Sequence, residues 1–192
     1  MQTKTEDFSL YKVVKSISYA MDLISETVVG HHKKVAYISL QIGREMNLSH
    51  SELEKLVIST LIHDLGVFYL DQKFSDLTFD NANNEHAEIG YKILKDTFPV
   101  SDVAEIIRYH HHDWKREDNT PPRLSYILHL ADRTAVMVKD KNDVLNQVDN
   151  IKRTIKNNSK VKFWPEAVDN LLKLVDKEYF WLDIVSSKRI DK

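Results

Sequence analysis

"LSHSELEKLVISTLIHDL", residues 48–65, reads as an amphipathic helix with two ionisable groups in its last turn. Ser49 stands where an N-cap belongs and Glu52 follows three residues later, the spacing of a capping box. Leu56 and Thr60 lead at helical steps to His63, and Val57 and Leu61 lead to Asp64. Both polar groups therefore point to the core side, about 100° apart. Leu61 and Ile62 precede the pair, and Leu65, Val67 and Phe68 follow it. Burying an unpaired carboxylate costs several kcal/mol or more, so it must be paired, hydrogen-bonded or bound to a metal.

Outward from this segment the same spacing recurs. "FSLYKVVKSISYAMDLISETVV" is a first helix on a stripe of Leu10, Val13, Val14, Ile17, Met21 and Ile24, and "HHKKVAYISLQIGREM" is a second. "KFSDLTFDNANNE" is polar and turn-rich, a loop before a fourth helix in "EHAEIGYKILKDTF". A fifth runs through "SDVAEIIRYHHH", and after the loop "DWKREDNTPPR" a sixth runs through "LSYILHLADRTAVMV". The remainder holds two or three more helices with an aromatic cluster of Phe163, Trp164, Tyr179, Phe180 and Trp181. That cluster reads as core and packing surface, with a homodimer contact as the runner-up.

The 192 residues suit one domain, 1–192, with one sizeable core. Only 4 Gly and 4 Pro punctuate the chain, against a turn-rich β fold, so the expected class is all-α. There is no cysteine, which excludes disulfides, thiolate catalysis and Cys-type zinc sites. The start "MQTKTEDFSLYKVV" has no signal-peptide run and no stretch reaches membrane-span length, so a cytoplasmic protein without membrane contact is expected. A net charge of -2 does not favour nucleic acid as a partner.

Of the 9 histidines, six are crowded into a pair, a triplet or a place beside an aspartate. On the fifth helix Val103, Ile106 and Ile107 continue at helical spacing to His110 and His111, while His112 falls on the side of Glu105 and Arg108. His86 shares a face with Ile89, Gly90 and Ile93, and Asp132 lies one turn from Leu128 and Val136. On the second helix His31 follows one stripe and His32 the next, and periodicity barely separates them. His50, in a helix-start region, and His129, beside exposed-looking neighbours, carry no functional reading. Five helices thus offer imidazole or carboxylate groups to one interior, a donor set suited to Fe, Mn, Zn or Ni.

In order these residues give H, then HD, H, HH and D, a pattern that resembles the HD superfamily of metal-dependent phosphohydrolases and, more closely, the HD-GYP family. "HHKKVAYIS", "LIHDLG", "HAEIGYKIL", "IIRYHHHDW" and "ILHLAD" are similar to five ordered segments of that family, over roughly residues 27 to 138. The resemblance implies an HD-type helical bundle whose metal ligands are His31, His63, Asp64, His86, His110, His111 and Asp132. His31 is preferred because it stands four residues before Val35, matching the family's spacing. Asp64 would bridge two divalent ions, usually iron or manganese, whose hydroxide attacks a phosphodiester or phosphomonoester of a cyclic dinucleotide or other nucleotide. Asp64 is thus also the candidate catalytic residue.

The chain departs from the family where substrate is held. Val67 replaces a lysine three residues past the aspartate. No Gly-Tyr-Pro motif follows the histidines, His112 stands for a glutamate, and Ala135 for a later aspartate. Lys73 and Arg133 are the candidate substitutes for phosphate binding. The alternative function is a signalling module that binds metal, nucleotide or a partner protein without efficient catalysis.

Overall fold

The structure is a computed structural model that describes residues 9–24, 29–70, 84–97, 99–115, 121–139 and 143–186. Its elements are α1 (Leu10–Ile24), α2 (His31–Glu45), α3 (His50–Ile62), a 3-10 turn (Leu65–Tyr69), α4 (Glu85–Leu94), α5 (Ser101–Arg108), α6 (Arg123–Met137), α7 (Val144–Asn158), α8 (Pro165–Val175) and α9 (Glu178–Val185). The fold is all-α, and among the described residues the one strand-like pairing is an isolated bridge between Ser159 and Phe163. No helix among them is long and apolar enough to cross a membrane.

The capping box forms as its spacing predicts. Ser49 Oγ accepts from the Glu52 amide, and Glu52 Oε2 accepts from the Ser49 amide at 2.9 Å. Arg123 at the start of α6 pairs with the same glutamate, tying two site-bearing helices together.

Two apolar clusters form the interior. The larger joins Ile38, Ile42 and Leu128 to Phe163, Leu171 and Trp181 of the C-terminal helices. The smaller joins Val14 of α1 to Ile58, Leu61, Val103 and Ile107. α3 and α5 contribute to both: Leu56 and Ile106 to the larger, Ile58 and Ile107 to the smaller. Within the aromatic cluster Phe163, Phe180 and Trp181 are core, whereas Tyr179 is exposed.

Several expectations are corrected. In α1 the inward stripe is Val14, Ser18, Met21 and Asp22, with Val13 and Ile17 more than a third exposed. α3 stops at Ile62, so His63 is its C-cap and Asp64 leads into the 3-10 turn. α5 stops at Arg108, short of the histidine triplet. A tight turn follows, with the His112 amide donating to the Tyr109 carbonyl at 2.9 Å. The helical period no longer applies there, and His112 turns inward beside Tyr126 instead of out to solvent. His129 is likewise buried, because α6 is enclosed from Leu124 to Ala135 and shows no solvent face over that span. The polar loop after residue 70, including Lys73, lies largely outside the described residues.

Candidate metal centre

The site begins at the end of α3. His63 keeps helical dihedrals, so its Nδ1 reaches the carbonyl of Thr60 at 2.9 Å. A carbonyl only accepts, which puts a ring proton on Nδ1 and leaves Nε2 facing inward. His110 repeats the device from another helix end, with Nδ1 donating to the Ile107 carbonyl at 2.6 Å.

Asp64 lies between two sets of imidazoles. Its Oδ2 is 3.2 Å from Nε2 of His63, 3.5 Å from Nε2 of His32 and 3.9 Å from Nε2 of His31. Its Oδ1 faces the other way, 3.5 Å from Nε2 of His86 and 4.0 Å from Nε2 of His110. Asp132 closes the first side, its Oδ1 3.1 Å from Nε2 of His31 and 3.7 Å from Nε2 of His63. On the second side, Nε2 of His86 is 3.3 Å from Nε2 of His110 and 3.0 Å from Nε2 of His111. The donor atoms thus gather into two groups that can each hold a metal ion, His31 with His63 and Asp64, and His86 with His110 and His111. All seven ligand candidates from the sequence come together.

Electrostatics favour a cation. Burial alone would raise the Asp64 carboxyl, but the surrounding imidazoles, His63 foremost, hold it well below the usual range. Burial is likewise overcome at Asp132, chiefly by the Arg133 guanidinium. Burial pushes His86, His110 and His111 down, so those rings are neutral beside two ionised carboxylates. Neutral imidazole and carboxylate are the forms that bind divalent transition metals. Nε2 of His63 and Oδ2 of Asp64 are buried with no hydrogen-bond partner among the described residues. Buried polar atoms are rarely left so, and a cation satisfies both at once. The residues fit a metal.

Sequence reasoning missed the role of Arg133. It is buried, and its Nε and Nη2 both donate to Asp132 Oδ2, at 3.0 and 2.7 Å. Nη2 also lies 3.1 Å from Nδ1 of His111. Because guanidinium only donates, that nitrogen accepts and the proton of the neutral ring sits on Nε2. His111 can offer Nε2 to a cation only when Arg133 moves off Nδ1.

An all-helical bundle with this ordered H, HD, H, HH, D set defines an HD-type centre. The HD domain family model matches residues 28–137, and the chain belongs to that family. Over 127 residues the chain is 28% identical to the 3′3′-cGAMP-specific phosphodiesterase 1 of Vibrio cholerae serotype O1, covering 61% of this chain and 29% of that protein. The crystal structure of a cyclic GMP-AMP specific phosphodiesterase of V. cholerae, V-cGAP3, superposes with a TM-score of 0.69 at 18% identity, covering 95% of this chain and 52% of that one. At that identity the superposition bears on the fold alone. The chain spans under a third of its curated relative and about half of the solved one.

Proposed function

We propose that this chain is a metal-dependent phosphohydrolase that cleaves a phosphodiester of a cyclic dinucleotide, with His31, His63, Asp64, His86, His110, His111 and Asp132 holding two iron or manganese ions. The observation that carries the reading is Asp64, whose two oxygens face different histidine groups. Two such ions, when bound, supply a nucleophile at neutral pH and neutralise the charge that develops on the phosphoryl oxygens. The chain's own part is positional. Backbone carbonyls of Thr60 and Ile107 fix the His63 and His110 tautomers, and Arg133 fixes Asp132. Such supporting contacts set ligand orientation and basicity.

The named activity of the Vibrio relative points to 3′3′-cGAMP as the first substrate to try. The test is metal analysis of anaerobically purified protein together with a hydrolysis panel of 3′3′-cGAMP, cyclic di-GMP and simple nucleotide phosphates. Mn- or Fe-dependent conversion of a cyclic dinucleotide to a linear product, abolished by Asp64→Ala, is expected. Metal-loaded protein that turns over nothing on the panel would sink the enzymatic reading.

That outcome would favour a second reading, a module that binds metal and nucleotide without efficient catalysis. Two observations support it. Val67, at the family's lysine position, is buried and uncharged. Arg133, a candidate phosphate ligand, is committed to Asp132 and His111.

A further inference from the structure

α2 presents two histidines to Asp64, and their surroundings differ. His31 is the more exposed, and its Nε2 already has Asp132 Oδ1 at 3.1 Å. His32 is fully buried and is held from behind by Asp22 of α1, whose Oδ1 lies 3.1 Å from His32 Nδ1. The other oxygen of Asp22 accepts the Gly30 amide at 3.0 Å. Gly30 adopts a positive φ of 73°, a left-handed conformation that glycine takes without strain, and so lets α2 start beside α1. With Nδ1 donating to Asp22, Nε2 is the nitrogen that the neutral His32 ring would offer to a cation. That nitrogen is buried without a hydrogen-bond partner among the described residues, as are His63 Nε2 and Asp64 Oδ2. The three orphaned atoms converge: His32 and His63 stand 3.5 and 3.2 Å from the same oxygen. The rings of His31, His32 and His63 surround it, with centroids 5.3–5.6 Å apart.

We propose that His32, oriented by Asp22, is a further metal ligand on the Asp64 Oδ2 side of the centre, beyond the seven residues that the HD pattern supplies. A histidine whose second nitrogen donates to a carboxylate is the usual arrangement of a metal-ligating imidazole, because the carboxylate fixes the tautomer and raises ligand basicity. The inference rests on the metal-centre reading above. The competing role is a cationic pin, with a protonated His32 bridging Asp22 and Asp64 as a structural ion pair. The two roles have opposite consequences. Removing a ligand weakens metal binding, whereas removing a positive charge beside Asp64 strengthens it.

The test is calorimetric titration of metal-stripped full chain with Mn(II), for the wild type, His32→Ala and Asp22→Asn. His32→Ala is expected to lose one site or weaken it at least tenfold. Asp22→Asn, which keeps the imidazole and is the informative variant should His32→Ala not fold, is expected to weaken the same site by about 10–100-fold. Unchanged or tighter binding in the folded variants overturns the role of His32 and leaves the metal centre standing. A wild type that binds no Mn(II) overturns both.

Discussion

Gly66 and His86 meet backbone to backbone: a Cβ on Gly66 would stand 2.0 Å from the His86 carbonyl oxygen and 2.8 Å from the Gly90 amide nitrogen. The 3-10 turn after Asp64 can therefore lie against α4 only because residue 66 has no side chain. This contact brings His86 within reach of Asp64.

Gly66→Ala is expected to push α4 outward. Backbone atoms cannot rotate out of the way as a flexible side chain can, so the cost should reach or exceed the roughly 1–3 kcal/mol typical of overpacking. His86 leaves the group it forms with His110 and His111, and the bound metal falls by about half. Urea unfolding and metal analysis on one preparation check both effects, and full metal content at wild-type stability would refute the account.

Asp64→Ala should cost both ions, since one oxygen faces each histidine group. His112→Gln and His129→Leu should keep the wild-type metal stoichiometry while lowering the melting temperature, because both rings are buried but belong to neither group. Metal loss in the His112 variant equal to that in the Asp64 variant would mean that the turn after α5 presents a different histidine to the centre.

The direction in which His63, Asp64 and Asp132 point was readable from sequence because regular helix runs up to or through them. His110 and His111 reach the centre although α5 ends at Arg108. Extending the helical period past that end misplaced His112 alone. α2 starts at His31, so both neighbouring stripes begin at the site, and no periodicity could separate His31 from His32. Asp22 did leave a signal, four residues after Ser18 and eight after Val14, but Val13 and Ile17 mask it with an equally apolar stripe that faces outward. Arg133 left none. Its burial follows from neighbours packed all round α6, and its partner Asp132 is adjacent in sequence, where helical spacing predicts no contact.

Stability of the metal-stripped protein should fall on both sides of neutrality. Burial and the nearby Arg133 charge push His129 down to about 3, and His31, His86, His110 and His111 shift in the same direction. The unfolded chain then binds protons that the fold refuses, so stability drops as pH falls from about 6.5 toward 3. From His129 alone the full loss is on the order of 4–5 kcal/mol. His32 has the opposite sign. Burial opposes its charge, but Asp22 and Asp64 push it up to about 9, so its contribution is complete below about 6.5 and lost as pH rises through 9. Chemical denaturation from pH 4.5 to 9.5 tests this, with His129→Leu flattening the acid limb and His32→Gln the alkaline one. A profile that is flat below pH 6.5 would contradict the assignment of neutral buried rings.

Turnover of cyclic di-GMP by the metal-loaded protein should be low, and Val67 is the reason. It lies in the 3-10 turn three residues past Asp64, buried, with its amide bonded to the Asp64 carbonyl at 2.9 Å, where the HD-GYP pattern has a lysine for substrate phosphate. Metals can activate the nucleophile, but charge placed at the transition state contributes separately, and one lost contact of that kind costs about 2.7–4 kcal/mol, or two to three orders of magnitude in rate. Val67→Lys should raise cyclic di-GMP cleavage toward that factor while lowering stability, because the stem of the new side chain enters a packed turn and its ammonium must find a partner. Steady-state kinetics with added Mn, beside a melting curve, measures both. An inert Val67→Lys variant beside a wild type that cleaves another nucleotide briskly would mark the valine as a change of substrate. Brisk cleavage of cyclic di-GMP by the wild type would refute the prediction and assign the lysine's role to another cation, such as Lys73 or an Arg133 released from Asp132.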